Sequence, residues 1–533
     1  MSIAIALTTP VAPDSTPKPA PRRSWQDMVL VMGAKLLYAL TRVALPPLTL
    51  AHVGMADYGL WATCFILVSY LGMTASGFTI VYLRGVAHAR GENDTDAIGR
   101  LLSTGMLCMS TISIGLFAVL LGTLPGLLNL FHVDPSRHEL AGTLWLGACG
   151  VFLADMVLGA FANTLHALNK IREEQMVWVA AFVIEMVLIV VFLNAGWGLR
   201  GLLAAFALRY LFSASANAWI VHRALPDLRL SPRLFDTSLL RMFFGFGTGV
   251  QLGGLIATLL HSADRLLAGA LIGPHATAVF DLATKLPVTG ASIPSSVSYV
   301  ALSQAARTHA TGDREGLRRV HRDAVRLTVI PLALIVPPLA VFAPLIISAW
   351  LGRADDTPLV ATAMTLLAFG MHWHLLTGPA SAVFRGCGRL LPEYAYYAMR
   401  LGALAMAVVA WKLSPESGLI GLATVLCVAQ VIAAVGYLIG SSRALGHPLF
   451  AGLVSAGGPT AAAYAAAGLL WLVWPRYAPG PRLQEFMHLA GLGTAWLVVT
   501  TVGAWYGLLD TARKAQIIDR LQSLADRMPW RTP

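Results

Sequence analysis

Lysine, arginine and carboxylate side chains recur inside long apolar runs of this sequence. A charge at the centre of a bilayer-length helix costs about 2.5 to 3.5 kcal/mol on insertion scales, so such residues face a protein interior or a wet cavity. Lys35 and Arg42 are seven residues apart, on one face of a helix. Arg84 closes an apolar run, Asp155, Glu185 and Arg209 sit mid-run, Asp264 and Arg265 are adjacent, and Asp281 and Lys285 are one turn apart. The set leans cationic. Basic groups converging in a dry site suit a phosphate or diphosphate head, which needs charge-assisted hydrogen bonds once it leaves water. Arg42, Lys35, Arg84, Arg209, Arg265 and Lys285 are therefore the candidate substrate-binding residues. Asp155, Glu185, Asp264 and Asp281 are the candidate ion-coupling residues, because a desolvated carboxylate takes up a proton more readily. They could equally serve as partners for arginine.

Simpler readings stay open for several of these. Asp281 and Lys285, at i and i+4, can neutralise one another. Arg84 and Arg385 lie near helix ends and can snorkel to headgroups, as can Lys35. Arg42 and Arg209 are harder to dismiss, since each lies well inside its run. Asp94-Thr95-Asp96 has the DxD pattern of metal-dependent glycosyltransferases but falls in a polar stretch that reads as a solvated linker. His372-Trp373-His374 places its histidines at i and i+2, facing apart on a helix, so no metal site is expected. The five cysteines lie in apolar runs without a CxxC and read as small buried hydrophobes. No GxxxxGK[ST], nucleophile elbow or HExxH occurs, so no cofactor, ATPase motor or enzyme activity is expected.

The elements that must position these charges are helices. The chain has 533 residues, 56% of them hydrophobic and only 12% charged, about half the charged share of a soluble protein. Apolar runs of roughly 20 residues recur without strand-type alternation, which predicts an all-α polytopic membrane protein with about 14 transmembrane helices. With the N-terminus inside, about 26 basic residues fall on the cytoplasmic side and about 6 outside, so both termini are expected in the cytoplasm. The net charge of +11 then reflects cytoplasmic loops, and no nucleic-acid partner is expected.

The helices repeat. Gly54 to Trp61 returns in outline as Gly273 to Phe280, and Gly159 with Leu165 to Lys170 returns as Gly378 with Phe384 to Arg389, both about 219 residues on. Gly198 to Gly201 returns as Gly418 to Gly421, one residue out of phase. Two pseudo-symmetric six-helix bundles plus two extra C-terminal helices follow. The expected organisation is a disordered cytoplasmic tail at 1–27, an N-terminal bundle at 28–222, a cytoplasmic linker at 223–241, a C-terminal bundle at 242–440, an additional two-helix unit at 449–508 and a basic cytoplasmic tail at 509–533. Gly245, Gly249 and Gly253 form a small-residue stripe suited to close helix packing. Pro46-Pro47, Pro287 and Pro294 should bend their helices.

Three segments, Leu45 to Trp61, Ala263 to Phe280 and Ala382 to Arg389, resemble the polysaccharide-exporting branch of the MOP superfamily, the Wzx-type flippases of undecaprenyl-diphosphate-linked oligosaccharides. The resemblance covers roughly Leu36 to Gly440. It implies two six-helix bundles forming a V, a central cationic cavity, and alternating access driven by the membrane potential or an ion gradient. It also implies a polyprenyl-diphosphate oligosaccharide as substrate in the bacterial inner membrane. Membrane lipid, H+ or Na+, and a polysaccharide polymerase with its export machinery are the implied partners. Only Arg42 and Asp264 occupy positions resembling charged sites in such transporters. Fourteen spans also occur in lipid II flippases, where the added helices form a groove for the lipid tail, so that substrate stays open. A cation-coupled multidrug exporter would favour an acidic cavity. A membrane glycosyltransferase or polymerase would need a long or acidic outer loop, and the outer loops here are short.

Overall fold

A computed structural model describes residues 23–72, 76–245, 248–475, 481–507 and 519. Among the described residues every regular element is helical. The chain divides into two compact units, Met1–Asp281 and Leu282–Pro533. The first holds α1 (Arg23–Val53), α2 (Met55–Gly72), α3 (Ser76–Gly91), α4 (Thr95–Leu130), α5 (His138–Ala167), α6 (Ile171–Asn194), α7 (Gly198–Ala224), α8 (Leu240–Gly245) and α9 (Thr248–Leu271). The division falls inside α10 (Pro274–Ala310). The second unit continues with α11 (Arg314–Val341), α12 (Ala343–Leu351), α13 (Thr357–Leu375), α14 (Gly378–Gly386), α15 (Leu391–Leu413), α16 (Gly418–Ala444), α17 (Ala451–Val473) and α18 (Arg482–Gly507). The expected sequence repeat breaks before α8, whereas packing places α9 with the first unit, against α2 and α4.

Ten of the described helical segments are long and apolar enough to cross a bilayer. The other four expected ranges fall on α7, α9, α10 and α15, which are also helical but diluted by polar residues. These are the helices that carry Arg209, Asp264, Arg265, Asp281, Lys285 and Arg400. Their polarity has a packing counterpart. Large apolar side chains such as Ile114, Val119 and Leu472 stand exposed on the ten apolar segments. The interior of the first unit is a cluster around Trp61, Phe131, Leu144 and Trp145, with Trp145 Nε1 donating to Leu60 O at 3.1 Å. Such a surface suits hydrocarbon, which exacts no penalty for exposed apolar side chains. In the second unit, α17 packs on α11, and α18 on α12 and α11. Arg353 Nε donates to the buried Glu485 at 2.7 Å, and Trp496 Nε1 to Leu334 O at 2.8 Å. α18 is thus fastened in its first turn and near its middle. Glu485 is buried in that pair.

The duplication extends to the turns. Asn93 (φ 57°) and Gly312 (φ 71°) take the same left-handed conformation, as do Asn169 (φ 57°) and Gly388 (φ 70°), each pair about 219 residues apart. Asp94 caps α4 by accepting from Ala97 N at 2.7 Å, and Asp313 caps α11 by accepting from Gly316 N at 2.7 Å. Each cap has an arginine at 3.8 Å, Arg100 for Asp94 and Arg319 for Asp313. The DxD stretch is therefore a helix start. Replacing either cap with alanine should cost about 1 kcal/mol. The Asp94→Ala and Asp313→Ala proteins should each melt a few degrees lower, by similar amounts, and an unequal pair would show that the two turns are not equivalent.

A second duplicated contact follows α5 and α14. His166 Nε2 lies 3.0 Å from Glu174 Oε2, and Arg385 holds Glu393 through two hydrogen bonds, one at 2.7 Å. Tyr397 donates to the same Glu393 at 2.6 Å. Arg385 is thus an ion-pair partner and not only a snorkelling cation. Pro46 and Pro47 lie within α1, and Pro287 and Pro294 within α10. The side-chain surroundings of Gly245, Gly249 and Gly253 lie outside the described residues, as do the tails at 1–22 and 520–533.

Candidate functional site

In the first unit, five of the ten sequence-picked residues fall along one polar seam with Arg42. Its first part is built by α5, α6 and α7, which pack side by side, with α1 laid on α6. Arg209 Nε of α7 stands 3.4 Å from Glu185 Oε2 of α6, with both side chains 11% exposed. The nitrogen makes no hydrogen bond, so the pair is held by charge and by packing. The guanidinium lies over Tyr210 (4.0 Å to the ring centroid), Phe182 (4.9 Å) and Phe206 (5.6 Å). Three aromatic faces replace water around a delocalised cation. Asp155 of α5 is within the electrostatic reach of Arg209 and Tyr210.

Arg42 of α1 links this pair to the next. Its guanidinium is 5.1 Å from the Phe65 ring, and its charge reaches Glu185, Tyr210 and Tyr58. Phe65 in turn meets Trp61 and Phe206 edge-on at 5.2 and 5.9 Å, so the aromatic wall is continuous from Arg42 to Arg209.

The second part centres on Asp281. Tyr58 donates to Asp281 Oδ2 at 2.8 Å, and Arg265 Nη1 to Asp281 Oδ1 at 3.0 Å. Two close approaches create this triad. A Cβ on Gly59 would come within 1.9 Å of Pro274 O, so α2 and the start of α10 touch backbone to backbone. That contact carries Tyr58 to Asp281. A Cβ on Gly269 would lie 2.5 Å from Thr277 Oγ1, so α9 and α10 form a tight hairpin through Gly273. Arg265 and Asp281 are eight residues either side of Gly273 and face each other across it.

Asp264 is half-buried on α9, and Lys285 half-buried one turn beyond Asp281. Arg84 is exposed on α3. The side chain of Lys35 lies outside the described residues. Sequence reasoning passed over Tyr58, Tyr210 and the phenylalanines. Only the position of Tyr58 in the Gly54-to-Trp61 repeat hinted at it. The histidines of His372-Trp373-His374 part as expected: His372 Nε2 is 3.0 Å from Thr460 Oγ1, and His374 Nδ1 is 2.7 Å from Tyr396 Oη. Arg400 is buried in α15 with its guanidinium 6.0 Å from the Tyr396 ring.

Arg42, Arg209 and Arg265 stand against Asp155, Glu185 and Asp281, so the described seam is close to neutral and not strongly cationic. Ten helices long and apolar enough to cross a bilayer, with charges paired between helices, fit a multi-pass membrane protein. The polysaccharide biosynthesis protein family matches residues 53–354, more than half of the chain, and the chain belongs to that family. Its fold is similar to those of several solved membrane-protein structures. A structure of the lipid II flippase MurJ in an inward closed conformation is 15% identical, with a TM-score of 0.66, over 90% of this chain and 98% of that one. An inward-facing multidrug resistance MATE family transporter of the MOP superfamily is 16% identical, with a TM-score of 0.62, over 78% of this chain and 94% of that one. Its outward-facing counterpart is 18% identical, with a TM-score of 0.51. No curated protein sequence matches the chain.

Proposed function

We propose that this protein is a flippase moving a polyprenyl-diphosphate-linked oligosaccharide across the bacterial inner membrane by alternating access. The observation that carries the reading is the seam of arginines and carboxylates lined by aromatic rings in the first unit. Bare transfer of a diphosphate through about 30 Å of hydrocarbon is prohibitive. Arginines already held by carboxylates can exchange those partners for phosphate oxygens without ever being left uncompensated. Arg42, with Lys35, Arg265 and Lys285, supplies the phosphate contacts, and Arg209 holds Glu185 and shapes the wall. Family membership supports polysaccharide assembly as the pathway, and the fold supports transport in place of sugar transfer.

The test is the distribution of lipid-linked sugar in a deletion strain. Oligosaccharide-diphospholipid should build up on the cytoplasmic face with its synthesis intact. Normal lipid intermediates with unfinished chains would point to an enzyme. The equal share of carboxylates in the seam favours a second reading, a cation-coupled multidrug exporter, for which lipids would be unchanged and overexpression would confer drug resistance.

Asp155 is the proton carrier in this scheme, because Glu185 and Asp281 are held in ion pairs with Arg209 and Arg265 and Asp155 forms no such pair among the described residues. One charge moved through 100 mV is worth about 2.3 kcal/mol, or roughly fifty-fold in the transport equilibrium. Asp155→Asn should lose that factor and become insensitive to a protonophore at normal abundance. A variant as sensitive as the wild type would remove Asp155 from coupling.

A further inference from the structure

A cleft of about 470 Å³ opens between the start of α6 and the basic end of α7, lined by Lys170, Glu173, Trp219, Ile220, Arg223 and Ala224. It lies apart in sequence from the seam residues and plays no part in the transport scheme. We propose that this cleft binds the headgroup of an anionic phospholipid of the leaflet that surrounds it.

The placement comes from the helix surfaces. On α7 an exposed apolar stripe includes Leu211 and Phe212 and ends at Trp219, 61% exposed. Arg223 follows one turn later with its guanidinium 5.4 Å from the Trp219 ring. An apolar stripe closed by an indole and then a cation marks the boundary between hydrocarbon and headgroups. On the neighbouring helix Met176 and Val183 continue the lipid-facing surface below the cleft. Acyl chains can therefore lie along α6 and α7 while the phosphate reaches the cations.

The charge favours an anion. Lys170 Nζ is 3.1 Å from Glu173 Oε1, so those two offset one another and Arg223 leaves the cleft with one net positive charge. A headgroup with one net negative charge neutralises the cleft, whereas a zwitterion leaves it charged. Glu173 sets an upper limit on affinity, since its carboxylate repels the phosphate unless Lys170 stays between them.

The full-length protein in detergent can be titrated with phosphatidylglycerol, phosphatidylethanolamine or phosphatidylcholine and read by native mass spectrometry. Phosphatidylglycerol adducts should be retained in preference to phosphatidylcholine. Arg223→Ala and Lys170→Ala should each weaken retention about five-fold, Arg223→Lys should keep most of it, and Glu173→Gln should strengthen it. An unchanged melting profile shows that the variants fold. Equal retention of all three lipids, or retention unmoved in the Lys170→Ala/Arg223→Ala double variant, would overturn the proposal. So would an effect confined to an added polyprenyl diphosphate, which would make the cleft a substrate station. Arg42→Ala should keep the lipid adduct, so the outcome stands independently of the flippase reading.

Discussion

Arg209→Ala should collapse both abundance and export, and Glu185→Ala should do the same. Each removes one partner of an ion pair whose side chains are 11% exposed and leaves the other charge without its nearest partner. Breaking a buried pair in this way costs about 3 to 5 kcal/mol, a large part of the stability of a typical fold. The arginine also loses three aromatic faces, and Tyr210, Phe182 and Phe206 then line a void. The informative protein is the double variant Arg209→Met/Glu185→Leu, which replaces the pair with apolar groups of similar volume. Such swaps are often neutral or stabilising, so abundance and melting temperature should return. Export should not return if the pair also belongs to the polar path. Full recovery of export in the double variant would make the pair purely structural.

The charges were legible because the membrane makes them conspicuous. Arg42 and Arg209 stand out in the sequence by their depth inside apolar runs. Their aromatic partners did not, since a tyrosine or phenylalanine in such a run carries no signal of its own. Tyr58 becomes part of the site only through Gly59, whose missing side chain lets α2 meet Pro274 backbone to backbone. That approach is a property of two segments more than 200 residues apart, and nothing local to either announces it.

The repeat shows the converse. Glycines at a constant offset are visible in the sequence, and they led to the two-bundle fold. The same offset relates Asp94 to Asp313, Arg100 to Arg319 and His166–Glu174 to Arg385–Glu393. Read singly, Asp94-Thr95-Asp96 looks like a metal motif and Arg385 like a snorkelling cation. Read in register, each is one copy of a turn or clasp that two halves share. The ion pairs escape the sequence for a related reason: counting charges by helix overlooks that Arg209 and Arg265 each meet a carboxylate from a different helix.

Arg42 is where the flippase reading is most exposed. Arg42→Ala should abolish export, whereas Arg42→Lys should keep a measurable part. The guanidinium can donate two parallel hydrogen bonds to one phosphate, and an ammonium offers the charge without the fork. Each charge-assisted bond is worth about 1.5 to 3 kcal/mol, so losing two should slow export by about a hundred-fold or more. Loss of the ring contact to Phe65 at 5.1 Å adds a structural cost of about 0.5 to 2 kcal/mol or more. Export is therefore compared at matched abundance. Lipid-linked oligosaccharide resolved by membrane face separates the two causes: a stable but stalled transporter leaves it on the cytoplasmic side while the protein is still present. Wild-type export by Arg42→Ala would remove the phosphate contact from Arg42 and, with it, the main support for a diphosphate substrate.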